Sequence, residues 1–171
     1  MAKPKVSILM ARDMTRTIID DQDMGRLERL FDVLEERPAA MSPELVRKMM
    51  AGMQGCITGW GTGAVPEDAL DGAPGLKIIA HSAGSVKGLI PLAAWKRGIV
   101  VTTAAESIAI GVAEYALGLM IIAMKRVVEF RPALAAGDWP TPAIKARIRE
   151  FYRATIGVIG AGFVGQHMLR L

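Results

Sequence analysis

Three glycines near the end of the sequence have the spacing of a dinucleotide-binding turn. Gly160, Gly162 and Gly165 form a G-x-G-x-x-G motif that follows an apolar run and precedes residues typical of a helix. In such a turn the first glycine permits the tight bend, the second lets the backbone approach a pyrophosphate, and the third allows close helix–strand packing. Free amides at the helix N-terminus, with Phe163 and Val164 among them, would then donate to the anion. The motif predicts binding of NAD or NADP and is less well explained as a turn without a ligand.

Few other side chains in the sequence suit catalysis or metal binding. The one cysteine, Cys56, excludes an internal disulfide and indicates a reducing compartment, so we expect a cytoplasmic protein. One cysteine and two distant histidines, His81 and His167, cannot assemble a metal cluster. His81 has no acidic neighbour that would tune it, and His167 follows the glycine turn, so we expect both to be structural. We therefore expect neither a catalytic residue nor a metal ligand in this chain.

Charge and hydropathy restrict the partners. Residues 1–124 carry 13 Lys/Arg against 14 Asp/Glu, whereas residues 125–171 carry 8 against 3. This basic excess lacks the aromatic-lined stripe of a nucleic-acid site, so it indicates a solvated linker. The apolar stretch 108–124 is at the short limit for a membrane span and contains Glu114. Its alanines and glycines favour close helix packing, so we expect no membrane association.

The chain alternates short β-like runs with helical ones, which indicates an α/β fold with crossover connections. We expect residues 1–103 to contain about five mostly parallel strands with helices on both faces. The predicted strands are 6–10, 39–41, 56–60, 77–81, 99–102 and 154–159. The predicted helices are 23–34, 43–51 with Ser42 as its N-cap, 66–70, 89–96, 107–127 and a further one to about 136. The segment 137–142 is the clearest break in the pattern.

From about residue 55 onward the sequence resembles the D-2-hydroxyacid dehydrogenase family, which includes phosphoglycerate dehydrogenase and formate dehydrogenase. The matching segments, in the family's order, are Leu76-Lys77-Ile78-Ile79, Ser82-Ala83-Gly84-Ser85-Val86, Arg97-Gly98-Ile99-Val100-Val101, Val112-Ala113-Glu114, Gly137-Asp138-Trp139 and the glycine turn at 160–165. The V-A-E helix, followed by the tryptophan segment and the glycine motif, is the most specific of these matches. The first 50 residues match only in pattern.

The resemblance implies three parts: a flavodoxin-like substrate domain at 1–103, interdomain and dimerisation helices at 104–150, and the first strand–turn–helix of a Rossmann domain at 151–171. It also implies a homodimer and a small 2-hydroxy or 2-keto acid as substrate. In the family, backbone amides that map to Ala83 and Gly84 hold the substrate carboxylate. Two departures affect substrate choice: Lys87 begins a segment that is Asp/Asn-rich in many members, and Thr102 and Thr103 stand where an Asn is common.

Other parts of the family's machinery have no counterpart here. A dinucleotide fold has a ribose-binding Asp or Glu about 20 residues beyond the glycine turn, and the family's catalytic Arg, Glu and His come later still. The chain ends at Leu171, so we expect it to be an inactive N-terminal part of the enzyme. Two alternatives remain open at this point. One is a non-catalytic flavodoxin-like interaction or oligomerisation module, and the other is an adenosylhomocysteinase-like NAD enzyme with the same domain order.

Overall fold

Five short strands form one fully parallel sheet in the first part of the chain. The structure, a computed structural model, describes residues 2–139 and 141–171, so Met1 and the Pro140 of the predicted break lie outside the described residues. The strands are β1 (Lys5–Leu9), β2 (Asp32–Val33), β3 (Gly55–Thr58), β4 (Ile78–His81) and β5 (Val100–Thr103). Their spatial order is β2-β1-β3-β4-β5, with every neighbouring pair parallel. This is the flavodoxin-like strand order, and it confirms the predicted α/β fold and five-stranded parallel sheet.

Helices connect the strands, as the alternating pattern predicted. They are α1 (Arg12–Ile18), α2 (Asp21–Leu30), α3 (Pro43–Met50) and α4 (Leu92–Lys96), with a 3-10 turn at Glu67–Leu70. The predicted start of α3 is correct: the Ser42 hydroxyl accepts a hydrogen bond from the Leu45 amide at 3.2 Å, and Pro43 occupies the first turn. Asp20 is the N-cap of α2, and its carboxylate accepts a hydrogen bond from the Asp23 amide at 2.8 Å.

The second strand lies elsewhere than predicted. The helix expected over 23–34 ends at Leu30, and residues 39–41 form no strand. The chain pairs with the edge of β1 directly after α2. The Asp32 amide donates to the Pro4 carbonyl and the Leu34 amide to the Val6 carbonyl, each at 2.9 Å. Phe31 and Leu34 match helical spacing in the sequence, but the pairing with β1 decides the backbone conformation.

The main core lies between one face of the sheet and the elements α3, α4 and the 3-10 turn. Leu9, Cys56 and Ile79 point from the strands into a cluster with apolar residues of those elements, all almost fully buried: Val46, Met49, Met50, Leu70 and Ala94. Burying each large side chain of this kind contributes roughly 1.5–3 kcal/mol. This packing fixes the strand ends from which the carboxyl-edge loops emerge.

The described chain divides into two units, Met1–Ala105 and Glu106–Leu171. The finer three-part division stays a prediction. In the second unit α5 (Ala105–Met124) is followed by α6 (Val127–Ala135), α7 (Pro142–Lys145) and α8 (Phe163–Arg170). Among the described helices, α5 has the length and composition that could cross a membrane, and little of its apolar stretch is buried.

Two expectations for the second unit are corrected. The long helix ends at Met124 and does not continue to 127, because Arg126 adopts a left-handed conformation with φ +56°. Its guanidinium donates to Glu129 at 3.1 Å and to the Arg147 carbonyl at 3.3 Å, which fixes the bend. The predicted strand at 154–159 is not formed. A strand exists only as part of a ladder, and no described segment pairs with these residues.

Candidate functional site

Two loops leave the sheet side by side at its carboxyl edge. Thr58 at the end of β3 is in register with His81 at the end of β4, and the loops 59–63 and 82–85 follow them. Ligands of open parallel sheets bind outside the carboxyl ends of the strands, because connecting loops there surround a crevice. The predicted carboxylate-binding residues, Ala83 and Gly84, lie on the second of these loops.

The loop that carries Ala83 and Gly84 is held by backbone contacts on both sides. The Ser82 amide and hydroxyl both donate to the Thr58 carbonyl, at 2.8 and 2.9 Å. On the other side the Ala104 amide donates to the Ala83 carbonyl at 3.1 Å. Within the described residues, no hydrogen bond uses the amide of Ala83 or Gly84 as its donor. Both amides are therefore available to an acceptor such as a carboxylate, and Gly84 is exposed.

A threonine and a glycine, neither predicted as functional, determine the shape of the neighbouring loop. The buried Thr62 hydroxyl accepts from the Gly59 amide at 3.0 Å and donates to the Leu9 carbonyl at 2.6 Å. A Cβ at Gly59 would collide with the Met10 sulfur and lie 2.6 Å from the Ser82 hydroxyl oxygen. The two loops are therefore in direct contact. The only sequence signal was the Gly61-Thr62-Gly63 run at the end of a predicted strand.

The remaining candidates for chemistry have structural surroundings. His81 is buried, its Nδ1 lies 3.0 Å from the Thr58 hydroxyl, and burial lowers its pKa, which favours the neutral ring. The buried Cys56 thiol lies 3.4 Å from the Ser7 hydroxyl, and burial raises the pKa of Cys56 to about 11, which leaves the thiol protonated and a poor nucleophile. Throughout 2–139 and 141–171, no three His, Cys, Asp or Glu side chains lie together as a metal site.

The glycine turn has a geometry that suits each glycine's predicted role. Gly160 has φ +93°, a conformation that favours glycine. A Cβ at Gly165 would collide with the Gly160 carbonyl oxygen, so only glycine allows this close packing. A Cβ at Gly162, the residue before α8, would meet nothing within 4 Å, which leaves room for a ligand against the backbone. The first-turn amides of α8, at Phe163 and Val164, have no intrahelical acceptor and can receive an anion.

Comparisons with known proteins identify relatives of this chain. The chain is 30 % identical to a glyoxylate reductase from Thermofilum pendens over 171 residues, which covers 96 % of this chain and 48 % of the relative. It is 33 % identical to a D-3-phosphoglycerate dehydrogenase from Methanocaldococcus jannaschii over 106 residues, or 62 % of this chain and 20 % of the relative. No protein-family profile matches.

A solved structure supports the same fold. An NADPH-dependent glyoxylate/hydroxypyruvate reductase from Sinorhizobium meliloti, in complex with NADP and malonate, superposes with a TM-score of 0.65 at 23 % identity. The superposition covers 99 % of this chain and 50 % of that one. The chain thus spans about half the length of the reductases that it matches from end to end. The resemblance first recognised in the sequence is confirmed.

Proposed function

The chain is a homologue of the D-2-hydroxyacid dehydrogenases, and from that relation we propose that the whole protein transfers a hydride between NAD or NADP and a small 2-hydroxy or 2-keto acid. The observation that carries the proposal is the pair of unmatched amides at Ala83 and Gly84, held at the carboxyl edge of a flavodoxin-like sheet. The relatives are 2-hydroxyacid reductases and dehydrogenases, which favours this function over an adenosylhomocysteinase-like enzyme or a non-catalytic module.

The residues of this chain would bind and orient the reactants. Amides of Ala83 and Gly84 would donate to the substrate carboxylate, and because the loop is already fixed by Thr58 and Ala104, little ordering accompanies binding. Amides of Phe163 and Val164 would receive the cofactor pyrophosphate, with Gly160, Gly162 and Gly165 shaping the turn. The bound nicotinamide supplies the hydride donor or acceptor. No residue of this chain is assigned to proton transfer.

We further propose that the protein is a cytoplasmic homodimer that binds neither nucleic acid nor membrane. The apolar surface of α5 supports a protein partner, since Ala109 and Ala113 are buried while larger side chains of the same helix are exposed. Glu114 lies in the middle of α5, where a carboxylate would cost a membrane span about 2.5–3.5 kcal/mol. A second copy of the chain provides apolar cover without that cost.

The carboxylate loop can be tested on the chain itself. Titration with glyoxylate, followed by amide chemical shifts, should displace the signals of Ala83 and Gly84 at millimolar ligand and leave Gly75 unaffected. Gly84→Pro removes one donor and should weaken binding at least about tenfold, since a hydrogen bond to a charged group contributes roughly 1.5–3 kcal/mol. Gly84→Ala is the matched control, because its Cβ would meet nothing within 4 Å. Unchanged signals at both positions would refute the proposed site.

The isolated chain should show no dehydrogenase activity and at most weak cofactor binding. One pyrophosphate turn offers few of the contacts that a dinucleotide needs. Calorimetric titration with NADH should give a dissociation constant above about 10 μM, the value that corresponds to roughly −7 kcal/mol. The product of the complete gene should reduce glyoxylate or hydroxypyruvate with NADH or NADPH. Tighter binding by the chain, or an inactive complete protein, would contradict the proposal.

A further inference from the structure

A cleft of about 410 Å³ opens beside the edge strand of the sheet. It lies between α1, the start of α2 and the segment that follows β2. Because β1 and β2 are parallel neighbours, α1 and the segment after β2 leave the same edge of the sheet. Three arginines from these two segments line the cleft: Arg12, Arg16 and Arg37. None of them belongs to the carboxylate loop or to the glycine turn.

Two of the arginines are held in place by backbone carbonyls. The Arg12 amide donates to the Pro38 carbonyl at 2.8 Å, and its guanidinium donates to the Arg37 carbonyl at 3.3 Å. The Arg37 guanidinium donates to the carbonyls of Leu34 and Glu36, the latter at 2.9 Å. Each guanidinium uses a single nitrogen for these bonds, so most of its N–H donors stay available. Both cations are therefore preorganised beside the cleft.

The three positive charges have no counter-ion within residues 2–139 and 141–171. No carboxylate oxygen lies within 4.0 Å of Arg12, Arg16 or Arg37. Asp21 and Glu35 also line the cleft, so three arginines against two carboxylates leave a net charge of +1. Arg37 is half-buried, and burial lowers its pKa. A neighbouring anion would favour its charged form.

An anion with several oxygens matches this arrangement. A guanidinium is a planar fork that can donate two parallel hydrogen bonds to a phosphate or a carboxylate. A phosphate ester carries roughly −1.5 to −2 charge and three strong acceptor oxygens, so it suits three arginines better than a single carboxylate does. Ile19 and Met24 add apolar surface to the cleft. This surface suits a short carbon chain, and the cleft has the size of a small-molecule site, roughly 300–1,000 Å³.

We propose that this cleft binds a small phosphate ester, with the phosphate group on Arg12, Arg16 and Arg37 and the carbon chain against Ile19 and Met24. The cleft lies on the β2 side of β1, whereas the carboxylate loop follows β4, on the other side of β1. Occupation of the cleft therefore leaves the carboxylate loop free. The inference does not depend on the proposed function, because neither the carboxylate loop nor the glycine turn takes part.

Titration of the chain with inorganic phosphate and with propyl phosphate, at constant ionic strength, tests the inference. Binding is followed by the guanidinium N–H signals of Arg16 and Arg37 and by the backbone amide of Ile19. The Gly162 amide reports separately on the glycine turn. Inorganic phosphate should displace the cleft signals with a dissociation constant of about 1 mM. Propyl phosphate should bind at least about twofold more tightly, because its chain covers apolar surface of the cleft.

Variants of Arg16 test the contact with the phosphate group. Arg16 is exposed and forms no ion pair in the described structure, so its replacement should leave the fold intact. Arg16→Gln should weaken propyl phosphate binding at least about tenfold, since a hydrogen bond to a charged group is lost. Arg16→Lys, which keeps the charge without the fork, should weaken it about threefold. Glu35→Gln should tighten binding about twofold, because it removes a negative charge from the cleft.

Arg29→Gln is the matched control. It removes the same charge from an exposed position in the last turn of α2 that does not line the cleft, so binding should change less than twofold. Equal weakening by Arg16→Gln and Arg29→Gln would show general attraction to a basic surface and overturn the inference. Displacement of the Gly162 amide without the Arg16 and Ile19 signals would overturn it as well. So would propyl phosphate that binds no more tightly than inorganic phosphate. All three results leave the glyoxylate response of the carboxylate loop, and hence the proposed function, unaffected.

Discussion

Replacing Gly59 with alanine should lower the free energy of unfolding of the first unit by about 2–3 kcal/mol, the upper range for overpacking a filled core. The added Cβ would collide with the sulfur of Met10, which is fully buried, and lie 2.6 Å from the Ser82 hydroxyl oxygen. Neither neighbour moves freely, because Met10 is enclosed and Ser82 is bonded to the Thr58 carbonyl. Urea unfolding followed by circular dichroism measures the loss.

Gly75→Ala is the control for this prediction. Its Cβ would make only ordinary contacts with Gln54, at 3.8 Å and beyond, so the variant should be neutral or slightly stabilised. A second measurement isolates the collision: Met10→Ala is destabilising by itself, but in combination with Gly59→Ala it should cost less than the sum of the two changes. Additive effects, or a loss below about 0.5 kcal/mol for Gly59→Ala, would show that the site can relax and that the two loops are not tightly coupled.

The chain should self-associate, and two charges on α5 should disrupt the association by at least about a hundredfold. Large side chains at a spacing of three and four residues form one exposed stripe along this helix: Val112, Tyr115, Leu119 and Ile122. If a second copy covers about 400 Å² of this surface, the hydrophobic contribution to the free energy of dimerisation is roughly 10 kcal/mol at ~25 cal/mol/Å². The entropic cost of association reduces this contribution. A decrease of only about 3 kcal/mol in the free energy of dimerisation raises the dissociation constant of the dimer about a hundredfold.

Sedimentation velocity and light scattering of the double variant Val112→Glu/Leu119→Glu provide the test. The unmodified chain should be dimeric at tens of micromolar, and the variant should be monomeric with an unchanged circular dichroism spectrum. Leu92→Glu, at a 75 % exposed leucine of α4, is the control and should remain dimeric. A stable monomer of the unmodified chain at that concentration, with α5 protected from hydrogen exchange, would refute the proposed interface.

Local sequence features were enough to predict much of the fold. Four of the five strands, the start of α3 at Ser42 and the position of the glycine turn follow from features a few residues long, such as an apolar run, an N-cap followed by proline, and a G-x-G-x-x-G spacing. The parallel arrangement also follows, because alternating strands and helices leave few other topologies. The glycine turn was predicted from its spacing, whereas Ala83 and Gly84 were predicted only from the family resemblance, and the ligand-binding roles of both loops stay predictions.

Contacts between distant residues determined the rest. The second strand forms at Asp32–Val33 because pairing with β1 satisfies the hydrogen-bonding groups of the backbone there. The helical spacing of Phe31 and Leu34 gives no information about this pairing. The segment 154–159 has the composition of a strand, but it forms none since no described neighbour completes a ladder. The structural importance of Gly59 and Thr62 depends on three strands that meet at one edge of the sheet. Spacing along the chain encodes which backbone conformations are favourable, whereas packing between distant segments selects which of them are stable.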